Sequence, residues 1–442
     1  MTQKASMTRT PKTPGMESPG APVVRLSGLV PVLRHAEHLL RELLHFSGPA
    51  DQTVSRYFRS NHQLGQRDRA FVAEAVYGVL RRKRSLEAAV GSANPRALLI
   101  GALVRVIGLS VRSLEGLLRD KSLELAAKAR AAGDFPPAVQ VDLPDWLWEA
   151  VLAQEGEAQA RRVAQGLLNA APLDLRVNLA RTDREAVLQE LAREGIEAQA
   201  TPYSPAGIRV AGKPPVNRLA LFKSGAIEVQ DEGSQILAYL LAPRRGEMVA
   251  DFCAGAGGKT LALAMLMRST GRLYAMDTSK SRLAALAPRA ARAQVSNVHP
   301  MALDSENDAR IKRLAGKIDR VLVDAPCTGF GTLRRNPDLK WRRGAESVAE
   351  LAAKQARILA SASRLVKPGG RLVYATCSIL RQENEDVVER FAAAHPEFAP
   401  LSCADLPAEQ HIALASGHYL HLWPHEHATD AFFAAAFERR KT

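Results

Sequence analysis

One stretch limits what this 442-residue chain can fold into: Val249-Ala250-Asp251-Phe252-Cys253-Ala254-Gly255-Ala256-Gly257-Gly258-Lys259-Thr260. An apolar run ends in an acid, turns through glycines, and opens onto the helical sequence Leu261-Ala262-Leu263-Ala264-Met265-Leu266-Met267. This is the pattern of the first strand, turn and helix of a nucleoside-binding α/β domain. The glycines let backbone approach a ligand, and the helix start offers free N–H groups. The end Gly258-Lys259-Thr260 also matches a phosphate-binding P-loop, but that loop needs a glycine where Cys253 stands.

Further acids extend the pattern. Gly271-Arg272-Leu273-Tyr274-Ala275-Met276-Asp277 reads as a second strand, its acid about twenty residues beyond the glycines, where a ribose-binding carboxylate belongs. Two more strand-like runs end at Asp304 and Asp324. Successive strands thus deliver Asp251, Asp277, Asp304 and Asp324 to one edge, the carboxyl edge where open parallel sheets bind ligands.

A chain of this length buries more than one core. With 46% hydrophobic and 24% charged residues and no long apolar run, it is expected to be soluble and cytoplasmic, with no membrane partner. Residues 1–25, rich in Thr, Pro, Ser and Gly, read as a disordered tail. The formal charge of +14 favours a polyanionic partner. Four widely spaced cysteines without a CxxC argue against a disulfide scaffold or a zinc site. His418, His421, His425 and His427 lack fixed Cys or Asp partners, so no metal is expected.

Residues 26–135 read as a helical domain. Phe71, Val72, Ala75, Val76, Val79 and Leu80 make an apolar stripe at helical spacing, and Asn94-Pro95 reads as a helix start. Arg56, Arg59, Arg67, Arg69 and the run Arg81-Arg82-Lys83-Arg84 have two readings, a phosphate-contacting face or solvated helix ends. Residues 136–228 read as a small α+β subdomain. A short helical region with Trp146 and Trp148 as core anchors precedes strands near Leu175, Glu197, Ile208 and Ile227 in a split-βαβ order that suits RNA. Residues 229–442 alternate strands and helices as a doubly wound sheet does.

Two cysteines stand where ligands should sit: Cys327 in Asp324-Ala325-Pro326-Cys327-Thr328-Gly329, and Cys377 in Thr376-Cys377-Ser378, after a further strand. Both are candidate nucleophiles, whereas Cys403, in no motif, reads as a small buried hydrophobe. An adenosine-binding sheet, paired thiols and a basic surface together suggest a pyrimidine methyltransferase. Cytosine carbon 5 is a poor nucleophile until a thiolate adds to carbon 6, and an acid must neutralise the ring near nitrogen 3. Asp324 is placed for that if its surroundings keep it protonated.

At these residues the chain resembles the RsmB/Sun/Nop family of RNA cytosine-5 methyltransferases. The resemblance rests on the Asp251 to Thr260 run, Asp324-Ala325-Pro326-Cys327 and Ala375-Thr376-Cys377-Ser378. It extends through Val229-Gln230-Asp231-Glu232-Gly233-Ser234-Gln235, Arg335-Asn336-Pro337-Asp338-Leu339-Lys340-Trp341, Gln382-Glu383-Asn384-Glu385 and Asp430-Ala431-Phe432-Phe433. The helical part is more weakly similar to the NusB-like domain of bacterial members. The resemblance implies a Rossmann-like, S-adenosylmethionine-dependent α/β domain behind an α+β RNA-binding subdomain and an all-α NusB-like domain. It implies Cys377 as nucleophile, Cys327 assisting release, and Asp324 between cofactor and cytosine. Cys253, Ala254, Gly255, Ala256, Gly257, Gly258 and Lys259 would surround the methionine and adenosine portions, with Asp277 on the ribose and Asp304 by the adenine.

The expected activity is therefore methylation of an RNA cytosine, in ribosomal RNA rather than DNA, by a monomer. Transfer RNA is the competing substrate, and a non-catalytic assembly factor the competing class. Three departures stand out. Gly255-Ala256 replaces the family's usual Ala-Pro, which should loosen the turn and alter cofactor affinity. Ala431 stands where Gly is usual, and the NusB-like part looks shortened between Leu109 and Pro136. Arg334, Arg335, Lys340, Arg342 and Arg343 are expected beside the catalytic mouth as phosphate contacts.

Overall fold

The computed structural model describes residues 28–405, 412–414 and 417–441, so the expected N-terminal tail lies outside the described residues. The chain begins with helices Leu29–Leu43, Ala50–Ser60, Gln66–Arg81, Lys83–Val90, Pro95–Arg105 and Asp120–Ala131 around one apolar core. The predicted stripe on Gln66–Arg81 is buried from Phe71 to Leu80 at every named position. Asn94 caps Pro95–Arg105 by accepting from Arg96 N at 3.0 Å, as the Asn-Pro pair predicts. The stretch thought shortened holds one short helix, Val111–Leu114, before Asp120–Ala131.

The helical region expected to be short is instead the 24-residue helix Asp145–Leu168, bent at Gly156, where φ is +72°. It packs Leu147, Trp148, Val151 and Val163 against Phe330, Leu333, Ile379 and Leu380, which belong to the segments following the two cysteines. Trp146 meets the Phe330 ring at 5.8 Å. Next come β1 (Leu173–Val177), β2 (Ala198–Ala200), β3 (Gly207–Val210) and β4 (Ile227–Val229), an antiparallel sheet in the order β2-β3-β1-β4. Helix Arg184–Arg193 is among its connections.

The larger sheet contains β5 (Met248–Asp251), β6 (Arg272–Asp277), β7 (Val298–Ala302), β8 (Ile318–Asp324) and β9 (Val366–Thr376). It is completed by β10 (Phe398–Leu401), β11 (Leu420–Leu422) and β12 (Phe432–Arg439), in the order β10-β12-β9-β8-β5-β6-β7 with β11 beside β12. Strands β5 to β9 pair in parallel; β10, β11 and β12 join antiparallel. The chain moves outward from β5 through β6 to β7, then returns to β8 on the other side of β5. The crevice at that reversal lies where such sheets bind ligands. Strand β8 buries Val321, Leu322 and Val323 fully, as a strand covered on both faces does. Among the described residues no helix is long and apolar enough to cross a membrane.

Candidate active site

Strands β8 and β9 are paired through Asp324 and Ala375, so the loops that follow leave the sheet side by side. Cys327 and Cys377 thereby bring their Sγ atoms to 3.4 Å. A buried carboxylate sets the spacing. Glu383 accepts from Thr328 N at 2.8 Å and Thr328 Oγ1 at 2.5 Å in one loop, and from Ser378 Oγ at 2.5 Å in the other. Gln355 Nε2 donates at 3.0 Å to both Glu383 and the Pro326 carbonyl. The residue following each thiol is therefore bound to one side chain. Glu383 belongs to the motif resemblance, but the sequence carries no sign of this role, since only Ser378 is near it along the chain and its other partners, Gln355 and Thr328, lie 28 and 55 residues away.

The cofactor edge is built at β5 and β6. Asp251 ends β5 and accepts from Thr260 Oγ1 at 2.7 Å, which ties the strand to the helix Gly258–Leu266. Gly257 turns the chain at φ +85°, and a Cβ there would stand 2.2 Å from Leu286 Cδ1. Only glycine suits that position. Asp277 accepts from Gly255 N at 2.8 Å and Ser279 N at 2.6 Å, and pairs with the largely exposed Arg282 at 3.1 Å. Asp304 lies just past β7 on an exposed loop, 3.7 Å from Arg310. Ala254 is buried, and its amide donates to Met276 O at 2.8 Å.

Between these two edges, Lys259 Nζ donates to Asp324 Oδ2 at 2.8 Å. Asp324, the candidate acid, thus has an ammonium partner. Burial alone lowers the Lys259 ammonium's pKa, but the Asp324 carboxylate outweighs it and the net shift is upward. The hydrogen bond to Cys377, followed by burial, pushes the Cys327 thiol well above its ordinary value, so Cys327 keeps its proton. Burial and the nearby carboxylates likewise keep Cys253 a neutral thiol. Asp251 is raised to about 7, chiefly by burial.

This donor set fits S-adenosylmethionine. The glycine turn leaves backbone accessible, Asp277 is a buried carboxylate suited to paired hydroxyls, and Asp251 Oδ1 is a buried acceptor without a hydrogen-bond partner, suited to an ammonium. Among the described residues, no group of three or more His, Cys, Asp or Glu is arranged to hold a metal.

The basic segment after Cys327 departs from expectation. Arg334 is buried, donating to Thr429 O at 2.8 Å and Ala170 O at 3.3 Å. Arg335 pairs with Asp430 at 2.7 Å and Asp231 at 2.8 Å. Lys340 is buried with its Nζ 2.8 Å from the Arg81 carbonyl, and Trp341 Nε1 donates to Leu80 O at 2.7 Å. Arg342 pairs with Asp338 at 3.1 Å. Arg334, Arg335 and Lys340 thus fasten the loop after Cys327 to the helical region and to the segment preceding β1 and are not free for phosphates, whereas Arg342 pairs within its own segment and Arg343 is half-buried. Of the earlier basic face, Arg81 binds the Arg334 carbonyl and Arg84 binds Asp145, while Arg59 and Arg67 remain exposed.

Comparison with known proteins agrees with this arrangement. A family model described as 16S rRNA methyltransferase RsmB/F matches residues 238–438, and one described as an RsmF/B-like ferredoxin-like domain matches residues 143–217. A Synechocystis protein described as a probable ribosomal RNA small subunit methyltransferase B is 31% identical, over 91% of this chain and 98% of that protein. Ribosomal RNA small subunit methyltransferase B of Xylella fastidiosa strain Temecula1 is 33% identical, over 84% of this chain and 89% of that protein. A crystal structure of a methyltransferase homolog from Pyrococcus horikoshii superposes with a TM-score of 0.59 at 28% identity, covering 69% of this chain and 97% of that one. Near-full-length identity, matched domains and a fitting cofactor edge together show that the chain belongs to the RsmB/F family of S-adenosylmethionine-dependent ribosomal RNA methyltransferases.

Proposed function

We propose that the protein methylates carbon 5 of a cytosine in ribosomal RNA, with Cys377 as nucleophile and Cys327 assisting release. The observation that carries this reading is the pair of thiols 3.4 Å apart at neighbouring strand ends. Methylating a ring nitrogen or a hydroxyl needs no sulfur nucleophile. Carbon 5 of cytosine does, because only addition at carbon 6 makes it electron-rich. The relatives' names favour small-subunit RNA as substrate. In this reading residues 26–135 and 136–228 hold RNA, with Arg59 and Arg67 as exposed phosphate contacts, and residues 229–442 carry out the chemistry.

Cys377 attacks as the thiolate, with the protonated Cys327 sulfur 3.4 Å away. Its sulfur bonds to carbon 6, and the double-bond pair moves to carbon 5 while charge spreads toward nitrogen 3. The Lys259–Asp324 pair supplies a proton there. Residues 253–259 with Asp277 and Asp304 would hold S-adenosylmethionine, which when bound supplies an electrophilic methyl group. Once methylated, carbon 5 loses its proton to water, the freed pair restores the double bond, and Cys377 leaves as a thiolate. The Cys327 proton stabilises that leaving sulfur, and nitrogen 3 returns its proton to the pair.

The test is to express Cys327→Ala in bacteria, denature the lysate and sequence RNA that stays covalently attached. A single ribosomal RNA site is expected, lost when Cys377→Ala is added. Attachment to transfer RNA would correct the substrate alone. Absence of any adduct, from a folded variant that binds S-adenosylhomocysteine, would favour a non-catalytic assembly factor.

A further inference from the structure

The cofactor turn lacks the proline that the family usually carries, which would fix φ at this point. Two carbonyl groups of that turn, those of Ala256 and Gly258, are instead held from outside. Arg289, on helix Leu286–Ala293, donates from Nη1 to the Ala256 carbonyl at 2.5 Å. Arg176, buried on β1 of the smaller sheet, donates from Nη1 to the Gly258 carbonyl at 2.9 Å and also to Gln230. Glu228 of β4 sits between them in sequence and space, accepting from Arg289 at 3.5 Å and Arg292 at 2.6 Å. The contact is close-fitting: at Gly225, φ +75°, a Cβ would stand 2.0 Å from the Arg292 carbonyl oxygen.

We propose that Arg289 and Arg176, aligned by Glu228, are positioning residues for the cofactor that do the work of the missing proline, so that the smaller sheet sets the order of the cofactor turn. Three observations support this. Both arginines bind carbonyls on either side of Gly257, the residue that makes the turn. Arg176 reaches the turn from a separate sheet and Arg289 from the helix whose Leu286 packs on Gly257, and two of the three charged groups come from the smaller sheet. Among the described residues no hydrogen bond uses the Ala256 amide, so a proline there sacrifices none. Burial lowers the Arg176 guanidinium to about 10, which leaves it charged at neutral pH.

The proposal rests on the cofactor assignment, and titration calorimetry of the full chain with S-adenosylhomocysteine separates the two. Absence of binding to the unaltered protein would defeat the cofactor assignment itself. If the unaltered protein binds, Arg289→Ala should weaken binding about tenfold, the scale of one charge-assisted hydrogen bond, with an unchanged melting temperature. Glu228→Gln should weaken it less, in the same direction. Arg292→Ala, which shares Glu228 without touching the turn, should change it less than about twofold. In an Ala256→Pro background, the Arg289→Ala loss should shrink to about twofold or less, because the proline already orders the turn. Equal losses in both backgrounds, no loss from Arg289→Ala, or an equal loss from Arg292→Ala would each overturn the proposal. Should Ala256→Pro misfold, Arg289→Lys decides: it should recover part of the affinity if a donor to the carbonyl is what matters, and recovery of none would refute it.

Discussion

The thiol loops and the cofactor turn are ordered by opposite means. The thiols take their spacing from inside: Glu383 is fully buried and gathers donors from both loops. The cofactor turn takes its shape from outside, from Arg289 on an adjoining helix and Arg176 on another sheet. The difference follows what each must do. In the proposed reaction two sulfurs must stay at one separation through bond making and breaking, and a buried hub with every donor filled has no nearby alternative arrangement. A cofactor must enter and leave, so its turn is fastened by bonds of which one, through Arg289, can re-form in water.

Breaking the inner device should have the largest effect. Glu383→Ala leaves the Thr328 amide and the Thr328 and Ser378 hydroxyls without this acceptor, and takes from the Gln355 amide one of its two. At about 1–3 kcal/mol for each buried unsatisfied donor, a loss of on the order of 3 kcal/mol or more is expected in urea unfolding. Covalent RNA capture in the Cys327→Ala background should fall about a hundredfold. Glu383→Gln retains one acceptor oxygen and the volume, so it should lie between. If Glu383→Ala captured RNA normally, the thiol spacing would not depend on the hub.

A buried carboxylate also stands beneath the cofactor turn, and pH exposes it. Asp251 is raised to about 7 by burial, with the Asp324 and Asp277 carboxylates adding to the shift. The folded chain therefore binds this proton more tightly than the unfolded chain does. Its contribution to stability is complete below about pH 4 and is lost as pH rises toward 7. Asp251→Asn should flatten that part of the stability profile and gain about 1–3 kcal/mol at pH 8, measured without cofactor. An unchanged slope would mean that Asp251 ionises freely where it lies.

Much of this site was legible because it is local. The acid at each strand end and the Gly257 turn are read within a few residues, and the helical stripe at Phe71 to Leu80 within one helix. What the sequence hides is which charges are solvated. Arg334 and Lys340 read as phosphate contacts because a run of cations has no visible partner, yet their partners are carbonyls at Thr429 and Arg81. Carbonyl acceptors carry no residue signature. Glu383 and Arg289 escaped for the same reason: their function is defined by loops that meet only after folding.

The smallest effect belongs to a residue that resembles the outer brace but lacks its geometry. Arg282 also touches the cofactor edge, pairing with Asp277 at 3.1 Å, but its side chain is 60% exposed against 22% for Arg289. It binds a carboxylate already held by the Gly255 and Ser279 amides, so its removal leaves Asp277 in place. Exposed ion pairs contribute about 0–1 kcal/mol. Arg282→Ala should therefore change S-adenosylhomocysteine affinity less than about threefold, and the difference should vanish in high salt. Asp277→Ala, which strips both amides of their acceptor as well as the proposed ribose contact, should abolish measurable binding. If Arg282→Ala instead matched the loss from Arg289→Ala, positive charge near the turn would be what the cofactor requires, and bonding to its carbonyls would lose its special place.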